Sequence, residues 1–183
     1  NISITITLLV SVWSMQIEKR WYHSRWGVSL IVVALALGDY FLELSQLPLI
    51  HLGFIFLFLV TSTYMAGRQV LFTGNVDFNK IIGAICIYIL MGLAWAFAYL
   101  IIEQLYPGSM SAFQQGSWQD NMQEAVYYSF VTLTTLGYGE ITPLQPLSRF
   151  MAYMEAITGQ FYIAILVASL IGVRMAAIGK EES

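Results

Sequence analysis

The chain has 183 residues, of which 58% are hydrophobic and only 10% charged, whereas soluble domains carry roughly 25% charged residues. Its net charge of −3 says little about nucleic acid, but no basic run is present to grip phosphates, and its five Trp and eleven Tyr suit the interfacial belts of a membrane protein. The single Cys86 cannot close a disulfide within one chain and reads as a small apolar helix residue.

A bilayer span takes about 20 mostly apolar residues. The first predicted helix covers Ile2 to Ile17. No charged n-region or small-residue cleavage site precedes it, so it is not read as a signal peptide, and the sequence is expected to begin inside a longer protein. The second covers Gly27 to Leu44 and the third Leu47 to Gly67, with a tight turn at Ser45–Pro48 between them. The fourth runs from Phe78 to Gln104. The fifth runs from Gln145 to Ile178, opened by Pro143 and Pro146, since proline is well placed at a helix start. The segment from Leu105 to Thr142 is too polar and interrupted to span.

Lys and Arg set orientation. Lys19, Arg20 and Arg25 fall between helices one and two, Arg68 and Lys80 between three and four, and Arg174 and Lys180 after five. Alternating sides puts all of these on the cytoplasmic face, including the C-terminus, and leaves only Arg149 outside. Asp39, Glu43, Glu103, Asp120 and Glu140 gather mostly on the outer face. Helix three has no Lys or Arg between Leu47 and Ala66, so it lacks the arginine ladder of a voltage sensor.

The chemistry lies in the segment Tyr127-Tyr128-Ser129-Phe130-Val131-Thr132-Leu133-Thr134-Thr135-Leu136-Gly137-Tyr138-Gly139-Glu140. Asp120, with Gln123 three residues on, predicts a capping box. A helix from Asn121 to Thr134 would be about 20 Å long, which reaches only part-way through a ~30 Å hydrocarbon core. Followed by Gly-Tyr-Gly, it reads as a re-entrant loop, tolerated at that depth only where it is covered by protein or lines a watery path. Gly137 and Gly139 can take positive φ, and alternation with Leu136 and Tyr138 would point successive carbonyls the same way. Four copies around an axis would stack rings of oxygen able to replace the water around a cation. Thr135 would add a hydroxyl ring at the inner end, and Tyr138 would wedge outward against the short helix.

The run Thr135-Leu136-Gly137-Tyr138-Gly139 resembles the Thr-x-Gly-Tyr-Gly signature of the pore-loop potassium channels. Tyr127 and Tyr128 match the family's aromatic pair, Pro143 and Arg149 follow at its usual distances, and Gly159 falls at its inner-helix hinge glycine. The stretch Gly159-Gln160-Phe161-Tyr162-Ile163-Ala164 is similar to prokaryotic channels with several helices ahead of one pore. Leu136 and Glu140 depart from the usual valine and aspartate, and Tyr127 from the commoner tryptophan, whose bracing hydrogen bond the tyrosine hydroxyl would have to supply.

The resemblance implies an all-α integral membrane protein, a multi-helix bundle assembled as a homotetramer. Residues 1–79 would form three helices outside the pore, and residues 80–183 the pore domain of outer helix, pore helix, filter and inner helix. It implies passive, selective K+ conduction in the cell membrane. K+ would be bound by Thr135, Leu136, Gly137, Tyr138 and Gly139, with support from Thr134, Tyr127, Tyr128 and Glu140, and Gly159 would be the gating hinge. Helical spacing puts Gln160, Ile163, Val167 and Ile171 along one face, expected to line the cavity and gate. No cofactor beyond the permeant ion is expected. Expected partners are three further copies, membrane lipid and a cytoplasmic regulatory domain or subunit.

Other readings fare less well. A non-selective cation pore usually lacks the tyrosine at Tyr138, and a potassium uptake transporter needs four pore repeats where one is visible. His23 and His51 fall on opposite sides of the membrane and cannot share a metal, and no nucleophile–base pairing suggests an enzyme. Asp39 and Glu43, one helical turn apart, could hold a cation but read better as interfacial carboxylates. Glu155 lies within the inner helix, where a carboxylate is either functional or bonded to the pore helix near the outer surface.

Overall fold

The computed structural model describes residues 47–71 and 78–181. The expected helices over Ile2–Ile17 and Gly27–Leu44, and with them Lys19, Arg20, His23, Arg25, Asp39 and Glu43, lie outside the described residues. Among those described, the regular elements are four helices: α1 (Leu47–Leu71), α2 (Phe78–Leu105), α3 (Met122–Leu133) and α4 (Pro146–Glu181). Segments Pro48–Arg68, Ile81–Leu105 and Pro146–Ser169 are long and apolar enough to cross a membrane. The chain divides into two compact units, Asn1–Ile55 and Phe56–Ser183, and the second holds α2, α3 and α4.

The long helices begin where the sequence predicts and run a little further. α1 continues past Gly67 to Leu71, because Arg68, Gln69 and Val70 contain no helix breaker. α4 starts with Pro146 in its first turn, where a missing N–H costs nothing. Ser148, in the same turn, reaches back to accept a hydrogen bond from the Gln145 N–H at 3.2 Å.

α3 enters differently from expectation. No capping box forms at Asp120, and its N-cap, Asn121, makes no side-chain cap bond. A tight turn already occupies the donors: the N–H groups of Asp120, Asn121 and Met122 bond to the carbonyls of Ser117, Trp118 and Gln119. With those donors satisfied, the Asn121 side chain turns back to the preceding loop. It accepts from Gln114 N–H at 2.7 Å and donates to Gln114 C=O at 2.9 Å.

α2, α3 and α4 pack on one another around a core of Tyr99, Met110 and Tyr128, joined by Trp95, Phe113, Ile141 and Met151. Tyr99 and Tyr128 meet edge to face at 4.9 Å between ring centroids, a favoured aromatic geometry. In lipid such packing works through van der Waals contact and hydrogen bonds, because hydrocarbon surrounds the helices whether or not they touch. The outer loops are tied together above this core. Met110 and Pro143 form a β-bridge, Ser111 N–H donates to Thr142 C=O, and Leu144 N–H donates to Ser109 C=O. Both carboxylate oxygens of Glu103 hold the turn beneath, accepting from Gly108 N–H at 2.6 Å and Met110 N–H at 3.1 Å.

Candidate functional site

α3 is 12 residues long, about 18 Å at 1.5 Å per residue, so it reaches only part-way into a hydrocarbon core. Its C-terminus at Leu133 is buried, and the backbone leaves it in an ordered way. Thr134 N–H bonds to Phe130 C=O and Thr135 N–H to Thr132 C=O, while Leu136 N–H and Gly137 N–H both bond to Val131 C=O. The Thr134 hydroxyl donates to Phe130 C=O at 2.6 Å. These bonds fix the base of the segment that follows.

In that segment φ alternates in sign. It is positive at Thr135 (58°), Gly137 (59°) and Gly139 (86°), but not at Leu136 and Tyr138 between them. The two glycines do this without steric cost. Thr135 does not, since a β-branched residue at positive φ carries about 1–3 kcal/mol of strain. Composition gave no reason to expect it. All residues from Thr134 to Glu140 are exposed in the single chain.

Three side chains on α3 and α4 were expected near the segment. Tyr127 donates its hydroxyl to Glu140 Oε2 at 2.6 Å, which is the brace the sequence left to a tyrosine. Tyr128 is buried in the core behind the segment. Gln160 of α4 donates from Nε2 to the Thr135 hydroxyl at 3.2 Å, directly below the run. Tyr138 is 63% exposed, so one chain by itself does not supply the tight wedge against the short helix.

Gly159 is one point where α4 touches α3. A Cβ there would lie 2.1 Å from the Leu133 carbonyl oxygen, which is backbone and cannot step aside. The absence of a side chain therefore sets how closely α4 approaches the end of α3. α4 is helical straight through this residue. The same Leu133 carbonyl accepts a hydrogen bond from the Tyr88 hydroxyl of α2 at 3.1 Å. Gln160, Ile163, Val167 and Ile171 are all exposed, as a lining face requires, but so are Phe161 and Ile165 on another side of α4.

Residues 85–175, which hold all of this geometry, match the family described as "Ion channel". The chain is 32% identical over 92 residues to the inward rectifier potassium channel Kirbac3.1 of Paramagnetospirillum magnetotacticum, covering 48% of this chain and 27% of that one. It is 27% identical over 96 residues to a voltage-gated potassium channel of Aeropyrum pernix, covering 52% of this chain and 29% of that one. Residues 85–175 thus belong to the ion-channel family, and two of the relatives they match are potassium channels. The chain spans little more than a quarter of each of these two channels. A third relative, protein LctB of Geobacillus stearothermophilus, is 26% identical over 127 residues, which cover 63% of this chain and 92% of LctB. No solved structure matches.

In the terms of that family, α2 is the outer helix, α3 the pore helix and α4 the inner helix. The sequence did not reveal what joins these three. Glu155 of the inner helix is fully buried, with Oε2 2.6 Å from the Tyr99 hydroxyl of the outer helix and Oε1 2.5 Å from the Ser129 hydroxyl of the pore helix. Ser129 Oγ also lies 2.7 Å from the Gly92 carbonyl. This favours the reading of Glu155 as bonded to the pore helix. The available signal was a lone carboxylate on an apolar helix, which requires partners; their identities depend on packing between segments 26 and 56 residues away.

Proposed function

We propose that this chain is one subunit of a homotetrameric channel that conducts K+ passively and selectively, with Thr135, Leu136, Gly137, Tyr138 and Gly139 as its filter. The alternating positive φ at Thr135, Gly137 and Gly139 carries this reading. Alternation turns successive carbonyls toward one side, and four such strands around an axis stack oxygen rings that substitute for the hydration shell of the ion. α3 adds to this electrostatically. Its C-terminal end, worth about −0.5 elementary charge, points at the base of the filter, where a cation enters from the cavity.

Gln160 gives the cavity its polar roof, and Ile163, Val167 and Ile171 line the path below it. Gly159 allows the inner helix to seat on the pore helix and serves as its bending point. Residues 1–79 form the helices outside the pore and residues 80–183 the pore domain. The protein sits in the cell membrane with its C-terminus cytoplasmic, where a regulatory domain or subunit would act. Conduction breaks no covalent bond, so neither an enzyme's machinery nor a cofactor is called for.

Reversal potentials of the purified channel in bilayers, with potassium opposing sodium, test the reading. A strong preference for potassium is expected, and a reversal near zero overturns it. Gly137→Ala and Gly139→Ala should abolish selective current, because alanine resists the positive φ each position needs.

A further inference from the structure

The contacts around Glu155 fix where its protons must be. A carbonyl oxygen has no hydrogen to give, so the 2.7 Å contact between Ser129 Oγ and the Gly92 carbonyl takes the one hydroxyl hydrogen of Ser129. The Tyr99 hydroxyl hydrogen lies in its 2.6 Å contact with Glu155 Oε2. The third contact, 2.5 Å between Ser129 Oγ and Glu155 Oε1, then needs a hydrogen that neither hydroxyl has left. Only the carboxyl can supply it. As a neutral acid, Glu155 completes the set, with Oε1–H donating to Ser129 Oγ and Oε2 accepting from Tyr99.

The surroundings agree with a neutral group. Glu155, Ser129 and Tyr99 are each fully buried. The other titratable groups that face Glu155 are the hydroxyls of Tyr88 on α2 and Tyr128 on α3. Among the described residues no cation pairs with it; Arg149 of the same helix donates to the Pro143 carbonyl at 3.2 Å. A buried carboxylate without a cation is strongly disfavoured, whereas a neutral acid with both oxygens bonded is not.

We propose that Glu155 is a positioning residue that acts as a protonated carboxylic acid, its Oε1–H holding the pore helix to the inner helix through Ser129. Ser129 lies one helical turn ahead of Leu133, whose carbonyl meets Gly159, so α4 grips α3 at two successive turns. The filter begins immediately beyond the second grip. A charged Glu155 could only accept from the Ser129 hydroxyl, which would then leave the Gly92 carbonyl without its donor.

Infrared difference spectroscopy on the full chain in lipid vesicles tests the protonation state without reference to conduction. A protonated-carboxyl stretch is expected at neutral pH in the wild type and should vanish in Glu155→Gln. Its absence from the wild type overturns the proposal. Glutamine keeps both an N–H for Ser129 and a carbonyl for Tyr99, so Glu155→Gln should match the wild type in thermal stability and in potassium-over-sodium reversal potential. Glu155→Ala strands the Tyr99 hydroxyl and should reduce the correctly seated population about tenfold. A Glu155→Gln variant as impaired as Glu155→Ala would also overturn the proposal. The conduction arm rests on the filter reading above. If the wild type proves unselective but shows the band, and Glu155→Gln alone keeps its stability, the filter reading fails and the role of Glu155 stands.

Discussion

α2 and α4 are both apolar enough to cross a membrane, yet half of the α2 span is buried within the chain and only 11% of the α4 span. The two helices face different surroundings. α2 is covered by α3 and α4 along its outer half, where Ala96, Tyr99 and Leu100 are buried. α4 touches its own chain along a narrow stripe that includes Ser148, Glu155 and Gly159, and it exposes Phe161, Ile163, Ile165, Val167 and Ile171 on several sides. A helix with polar Gln160 on one side and bare apolar residues on others is finished neither by this chain nor by lipid alone. On the tetramer reading, α2 carries the contacts made within a subunit, and α4 carries those made between subunits and with the ion path.

Changes along the narrow stripe of α4 should have the largest effect. Gly159→Ala places a Cβ against the Leu133 carbonyl and should destabilise the protein by about 1–3 kcal/mol. Gly172→Ala, where nothing lies within 4 Å, should be neutral or stabilising by up to about 1 kcal/mol. Thermal unfolding in detergent measures both, and equal midpoints for the two variants would remove Gly159 from its packing role.

A smaller effect separates the exposed faces. Phe161 on α4 and Ile85 on α2 are 64% and 53% exposed in the single chain. Phe161→Ala should weaken the tetramer by more than about 1 kcal/mol per subunit, as an interface anchor does, while Ile85→Ala should leave assembly unchanged. Temperature-dependent dissociation followed by native mass measurement distinguishes the two outcomes, and equal tolerance would mean that α4 faces lipid.

The smallest expected effect lies at the filter exit. Tyr127→Phe removes one hydroxyl donated to Glu140 in an exposed setting, so stability should hardly change. Selectivity should persist, and the rate at which current declines during a long opening should change. An unchanged rate would show that the bond does not brace the filter.

The sequence made the described helices and the filter run legible for different reasons. Helix positions followed from unbroken apolar length, and extending α1 and α4 by a few residues needed only the absence of a breaker. Gly137 and Gly139 announced their backbone angles through chemistry, because glycine is the residue that takes them freely. Thr135 did not, because a β-branched residue argues against positive φ, and only the bonds from Leu136 and Gly137 back to Val131 explain it. The capping box at Asp120 failed for a related reason: the backbone turn over Ser117 to Met122 satisfied the donors first. Glu155 was visible as an oddity. Its protonation could not be read until Tyr99, Ser129 and the Gly92 carbonyl were seen together.

The ties on α4 are unevenly spread along its length. Its first turn is fastened to the outer loops through Ser148 and the Ser109 carbonyl. Glu155 and Gly159 follow, and Tyr162 donates to the Ala84 carbonyl of α2 at 2.7 Å. Beyond Tyr162 the described side chains of α4 are half-buried or exposed, and the helix continues to Glu181, about 28 Å further at 1.5 Å per residue. The inner helix is thus a cantilever clamped at its outer end. A bend of about 10° opening at Gly159 would swing the free tip by roughly 6 Å, an amplitude obtained from the rise per residue alone. On the channel reading, such a beam would let the cytoplasmic mouth change width while the end beside Thr135 to Gly139 stays still.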